Sequence, residues 1–150
     1  LRRVPVISSL LIGIVILAAA LSGFFFVSVD KTIRAFPTLL ALGIIIFYSL
    51  EINFKDMKDI AGDSKNGVKT IPVLFKEKGP HVTGLLFATS FLLAPIFLSL
   101  YSLYLISVPI SIIGYRLIVR RPYNEKFVFI LHFTFLLGIA ALYFVNHLLS

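Results

Sequence analysis

Long uncharged stretches, mostly apolar, alternate with short charged gaps along this chain. Val4 to Val29 is 26 residues without a charge, Ala35 to Leu50 is 16, Gly79 to Tyr115 is 37, and Phe127 to Ser150 is 24. A helix crosses the hydrocarbon core of a bilayer in about 20 residues, so the first and last runs each make one span. The third run would form a helix of roughly 55 Å, nearly twice the core thickness, and must fold back on itself. Tyr101-Ser102-Leu103-Tyr104 is the predicted turn, because tyrosine rings suit the membrane interface. The second run becomes a full span only by extending over about 33–54, which takes Glu51 and Asn53 into one end. The pattern therefore predicts an all-α polytopic membrane bundle of five transmembrane helices, at about 4–29, 33–54, 80–100, 103–119 and 126–148. It forms a single membrane-embedded domain over 1–150, with a charged loop at 55–79.

Composition supports lipid as the solvent. Hydrophobic residues make up 59% of the chain and charged residues 14%, against roughly 25% charged in an ordinary globular domain. A soluble fold of this size could not hide so much apolar surface. The absence of cysteine excludes a disulfide scaffold, a cysteine-based zinc site and an iron–sulfur site. A net charge of +7 does not point to nucleic acid, because the basic residues sit in the gaps between apolar runs, where they flank a membrane. Arg2 and Arg3 before the first run resemble the start of a signal peptide, but the run is too long for an h-region of about 7–15 residues. Pro95 and Pro109 fall inside spans, where they are expected to kink the helices for packing. The chain begins Leu1-Arg2-Arg3 with no Met, as a piece of a longer protein would.

Charge also orients the bundle. Five spans put the N-terminus and the loops at 55–78 and 116–126 on one side, which holds twelve Lys and Arg, while the other side holds only Lys31 and Arg34. The positive-inside rule places the basic side in the cytoplasm and the C-terminus outside. Four or six spans would scatter the same residues over both faces.

The loop carries the chemistry. Lys55 to Lys78 contains ten of the chain's 21 formally charged residues. Asp56, Asp59 and Asp63 are spaced i, i+3, i+7, which at 100° per residue puts them on one helical face, and Asn53 extends the stripe. Three neighbouring carboxylates repel one another unless a cation sits between them. Lys55, Lys58, Lys65 and Lys69 surround them and suit an anionic ligand. Acidic oxygens beside ammonium groups describe a site for a magnesium-bound phosphate or diphosphate. On spacing alone, an amphipathic helix with Asp–Lys pairs at the wet interface fits equally well. An EF-hand fits poorly, because Lys58 and Ala61 would stand where an acidic ligand and a glycine are needed. There is no Walker loop and no G-x-S-x-G. Gly62 and Gly67 are expected to end the helix, and Pro72 to limit a second short one.

The wording of the segment is more specific than its spacing. Glu51-Ile52-Asn53-Phe54-Lys55-Asp56-Met57-Lys58-Asp59-Ile60-Ala61-Gly62-Asp63, followed by Gly67, Thr70, Ile71 and Pro72, resembles the second aspartate-rich motif of the UbiA-type prenyltransferases. Those are nine-helix intramembrane enzymes that move a polyprenyl chain from its diphosphate to an aromatic or other lipophilic acceptor. The resemblance implies that the five spans correspond to helices five to nine. It implies Mg²⁺ as cofactor, with Asp59 and Asp63 as the principal catalytic metal ligands, Asp56 assisting, and Lys58 and Lys69 contacting the diphosphate. The implied partners are a polyprenyl diphosphate, a lipophilic or aromatic acceptor and the bilayer. The family's first motif, N-x-x-x-D-x-x-x-D, does not occur in these residues. The chain is therefore expected to supply half of the site, to be inactive alone, and to need an N-terminal half of the same protein. The rival reading is a non-enzymatic membrane protein, such as a cation transporter or a small structural bundle. A transporter would carry ionisable residues at mid-membrane depth.

Other polar residues receive plainer assignments. His81 and His147 lie near span ends, and His132 lies within the last span, where it is given no role. Tyr115 and Tyr123 are expected as interface anchors, the alternative being that one lines the acceptor pocket, and Arg116, Arg120 and Arg121 as topology determinants, the alternative being contact with anionic lipid or substrate phosphate. The topology is testable with single cysteines at Ser64, Asn124 and Ser150 and an impermeant thiol reagent on intact cells. Only the Ser150 position should be labelled; labelling at Ser64 would reverse the orientation or break the helix count.

Overall fold

The computed structural model describes the backbone of residues 5–30 and 32–149 and the side chains of residues 6–30 and 32–145. Arg2, Arg3, Lys31, Ser150 and the side chain of His147 lie outside the described residues. The described residues form an all-helical bundle, that of an integral membrane protein, with five helices among them long and apolar enough to span: Val6–Val27, Thr38–Lys58, Lys76–Phe97, Tyr101–Val119 and Glu125–Val145. The helices are α1 (Pro5–Val27), α2 (Thr38–Glu51), two short ones, α3 (Ile60–Lys65) and α4 (Ile71–Leu74), then α5 (Gly79–Phe97), α6 (Tyr104–Val119) and α7 (Glu125–Leu149).

Two boundaries differ from those predicted, both for backbone reasons. The second span was placed from residue 33, but Ile33–Ala35 is an isolated 3₁₀ turn and α2 starts only at Thr38. Pro37 forces the residue before it out of the helical region, and Phe36 is extended at φ −78°, ψ 125°. The hairpin between the third and fourth spans reverses before the tyrosines rather than at them. Ser99 adopts φ +53°, and the Leu100 amide donates back to the Pro95 carbonyl at 2.9 Å, a left-handed helix stop. Tyr101 then begins a 3₁₀ turn and stays exposed. The helices α5 and α6 both continue through their prolines, Pro95 and Pro109.

Lipid supplies no hydrophobic drive between helices, so close packing and polar contacts must hold them together. The helix α1 packs chiefly on α2, α2 on α5, α5 on α6, and α6 on α7. The core is aromatic: Phe47, Phe54, Phe87, Phe91 and Phe135 are buried, with Phe87 and Phe91 rings 4.6 Å apart and Phe91 and Phe135 4.7 Å apart. Between α5 and α6, the Ser111 hydroxyl lies 2.7 Å from the Ser107 carbonyl and 3.1 Å from that of Ala88. The missing side chain of Gly114 makes room for the Phe87 ring, which a Cβ there would strike. Gly114→Ala should therefore destabilise the bundle by about 1–3 kcal/mol, the scale of overpacking, and lower its thermal unfolding temperature in detergent. Gly23→Ala, with nothing within 4 Å of the new methyl, should not lower it.

Candidate functional site

The charged loop begins where α2 ends. From Ile52 to Lys58 the backbone tightens into a 3₁₀ helix, Asp59 breaks it at φ −107°, ψ 10°, and α3 follows. The regular α-helical face predicted for Asp56, Asp59 and Asp63 is therefore not the geometry that gathers them. The 3₁₀ helix ends on Asp59, whose amide donates to the Asp56 carbonyl at 3.3 Å, and the following turn of α3 brings Asp63 to the same cavity. The Asp63 amide donates to the Asp59 carbonyl at 2.8 Å, and the Asp63 carbonyl accepts from Val68 at 2.9 Å. Gly67, at φ +67°, ends α3 as predicted, whereas Gly62 lies within it. The chain then returns through Val68, Lys69 and Thr70, and Pro72 sits in the first turn of α4.

These segments enclose one cavity of about 440 Å³. Asp56, Asp59 and Asp63 all line it, together with Lys55 and Lys69. Its opposite wall comes from α1, through Ser8, Ser9 and Ile12. Lys58 is not part of it: the ammonium lies 3.0 Å from a Glu125 oxygen. Among the described residues, no three His, Cys, Asp or Glu side chains stand close enough to hold a metal ion unaided. The cavity does bring three carboxylates and two ammonium groups to one place.

The change from α to 3₁₀ geometry leaves carbonyls in need of donors. The Asn53 amide donates to the carbonyls of Ser49 and Leu50 at 2.9 and 3.0 Å. Its own Oδ1 accepts from the Ser9 hydroxyl of α1 at 2.9 Å. Asn53 thus faces the interior and splices the turn to α1. On the other side, the Tyr123 hydroxyl donates to the Phe54 carbonyl at 2.8 Å. Burial, and secondarily the Glu125 charge, push the Tyr123 phenol well above its usual range, so it remains a neutral donor at physiological pH.

The model of the UbiA prenyltransferase family matches residues 1–127. The chain belongs to that family. Comparison with curated proteins and with solved structures gave no match. Membership in the UbiA family makes this a membrane prenyltransferase in general terms, and among the described residues the aspartate cavity gathers three carboxylates and two lysines. A second cleft, about 140 Å³, lies towards the other end of α2, lined by apolar groups such as Gly43, Phe47, Phe97 and Phe135. Tyr48 also lines it, and among the described residues no Asp, Glu, Lys, Arg or His does.

Several residues of this site were not singled out by sequence. Ser8, Ser9 and Ile12 lie far along the chain from the loop, and nothing in a uniform apolar run marks them as a wall. Thr70 was read only as part of the motif, yet it is buried at the cavity, its hydroxyl without a hydrogen-bond partner among the described residues. His132, given no role, has Nδ1 2.8 Å from Oε1 of the buried Glu51. The two atoms are close but off the line of a well-formed hydrogen bond.

Proposed function

We propose that this chain provides the diphosphate-binding face of a Mg²⁺-dependent enzyme that transfers a polyprenyl group to an aromatic or lipophilic acceptor within the membrane. The observation that carries the reading is the single cavity shared by Asp56, Asp59, Asp63, Lys55 and Lys69, at the end of a membrane span, in a member of the UbiA family. Asp59 and Asp63 would hold the metal, with Asp56 assisting. Mg²⁺, when bound, offsets the charge of the diphosphate and favours its departure. Lys69 contributes a second positive contact to the same oxygens, and Lys55 lies on the same wall. The allylic C–O bond breaks, diphosphate leaves with the electron pair, and the carbocation bonds to a ring carbon or hydroxyl of the acceptor, which loses a proton. Helix packing on the membrane side keeps water from competing for the cation.

We take the loop to be cytoplasmic, from the charge asymmetry. A cation transporter would place its ionisable groups deep in the bundle. Glu51 and His132 are such a pair, but the carboxylates that share a cavity lie beyond the end of α2.

The test is prenyl transfer by the complete protein in liposomes, with Mg²⁺ titrated. Asp59→Asn and Asp63→Asn should each reduce turnover by about a hundredfold, the scale of losing one contact to transition-state charge. The double variant should lose little more, as residues acting on one cluster are non-additive. Glu77→Gln, exposed and outside the cavity, should behave as wild type. Unchanged activity of both Asp variants at limiting Mg²⁺ would return the stripe to a solvated charged helix.

A further inference from the structure

The carboxylate-bearing turn is held from behind by α7, through a ladder of contacts that runs antiparallel to α2. The Phe47 ring stacks on Phe135 at 5.8 Å and 8°. Glu51 meets His132 at 2.8 Å. Phe54 packs edge-on against Phe129 at 5.1 Å, and the Lys55 ammonium lies 5.5 Å over the same ring. Lys58 pairs with Glu125 at 3.0 Å. The α7 members fall at 125, 129, 132 and 135, the spacing of one helical face; their partners at 58, 54, 51 and 47 climb α2 and its 3₁₀ extension in the opposite sense. The cavity residues Asp56 and Asp59 lie between and beside the last two rungs, and Lys55 belongs to both the ladder and the cavity wall.

We propose that Glu125, Phe129 and His132 are positioning residues that set the place of the prenyl-diphosphate seat by fixing the 52–59 turn. This assignment rests on the prenyl-transfer reading of the cavity. It also gives Lys58 a different task from the diphosphate contact that the family resemblance implies. A 3₁₀ helix of two turns has poor hydrogen-bond geometry and does not hold its shape unaided. The buried rungs, Glu51–His132 and Phe54–Phe129, supply rigidity. The Lys58–Glu125 rung is half-exposed and contributes no more than about fivefold to an equilibrium, but it stands nearest to Asp59 and fixes the turn's free end. The family match stops at residue 127, so most of this strut lies beyond it.

The test uses the complete protein in nanodiscs and two measurements. The first is backbone hydrogen exchange over residues 52–63; the second is binding of a series of labelled prenyl thiolodiphosphates with Mg²⁺. Glu125→Lys should speed exchange across the turn and weaken binding about three- to tenfold. Long-range attraction alone would do the reverse, since the variant adds positive charge near an anionic ligand. The charge swap, Lys58→Glu with Glu125→Lys, should restore both measurements to within about twofold of wild type. Phe129→Ala, which changes no charge, should act in the same direction as Glu125→Lys. Binding by Glu125→Lys as tight as wild type, or a swap no better than Lys58→Glu alone, would overturn the proposal; the latter would make Lys58 a ligand contact. Failure of wild type to bind any of the analogues would instead refute the prenyl-transfer reading and end the ladder's functional role with it. Exchange over 52–63 unchanged by Glu125→Lys would overturn the tether itself, whatever the ligand.

Discussion

The arrangement depends on one constraint: a helix that crosses lipid must satisfy its own backbone, yet at its end this one turns charges towards a cavity. The chain meets the two demands at Glu51, where α2 passes into the tighter 3₁₀ turn. Asn53 donates to the carbonyls at the junction and ties it to Ser9 of α1. Tyr123 donates to Phe54 from the opposite side. With its backbone held on both flanks, the turn can display Asp56 and Asp59 to a cavity without unwinding the span behind them.

Glu51 shows how close to the limit this design runs. A buried carboxylate is costly without a partner, and removing one partner from such a pair costs more than the pair ever contributes. His132 stands beside it, enclosed by Phe47 and Tyr48, whose ring centroids lie 6.3 and 6.0 Å from the imidazole. The pair is buried at the end of α2, directly behind the turn that bears the carboxylates. That placement suits a geometric role better than a contribution to stability.

The spans were legible because their signal is length: an apolar run either reaches across a bilayer or it does not. Their ends were less so, since Pro37 and Ser99 act through backbone angles that hydropathy does not register. In the loop, the identities of Asp56, Asp59, Asp63 and Lys69 were visible, and the structure brings them together. Their local geometry was not, because the change from α to 3₁₀ turns and the break at Asp59 leave no mark in the spacing of the charged residues. Sequence displays the charge of Lys58 but not its partner Glu125, which is 67 positions away. Ser8 and Ser9 were hidden for a similar reason, being ordinary small residues in an apolar helix until α1 is laid against the turn.

The account stands on the claim that the cavity between α1 and residues 52–70 seats the diphosphate end of a prenyl donor. A prenyl diphosphate analogue with a diazirine on the unit next to the diphosphate would test it, after photolysis in membranes with Mg²⁺ and mapping of the adducts by mass spectrometry. The account predicts adducts on Ser8 to Ile12 and on Val68 to Thr70, suppressed by unlabelled prenyl diphosphate. Competed labelling that fell instead on the apolar cleft near Gly43 and Phe97, with none on those two walls, would contradict it.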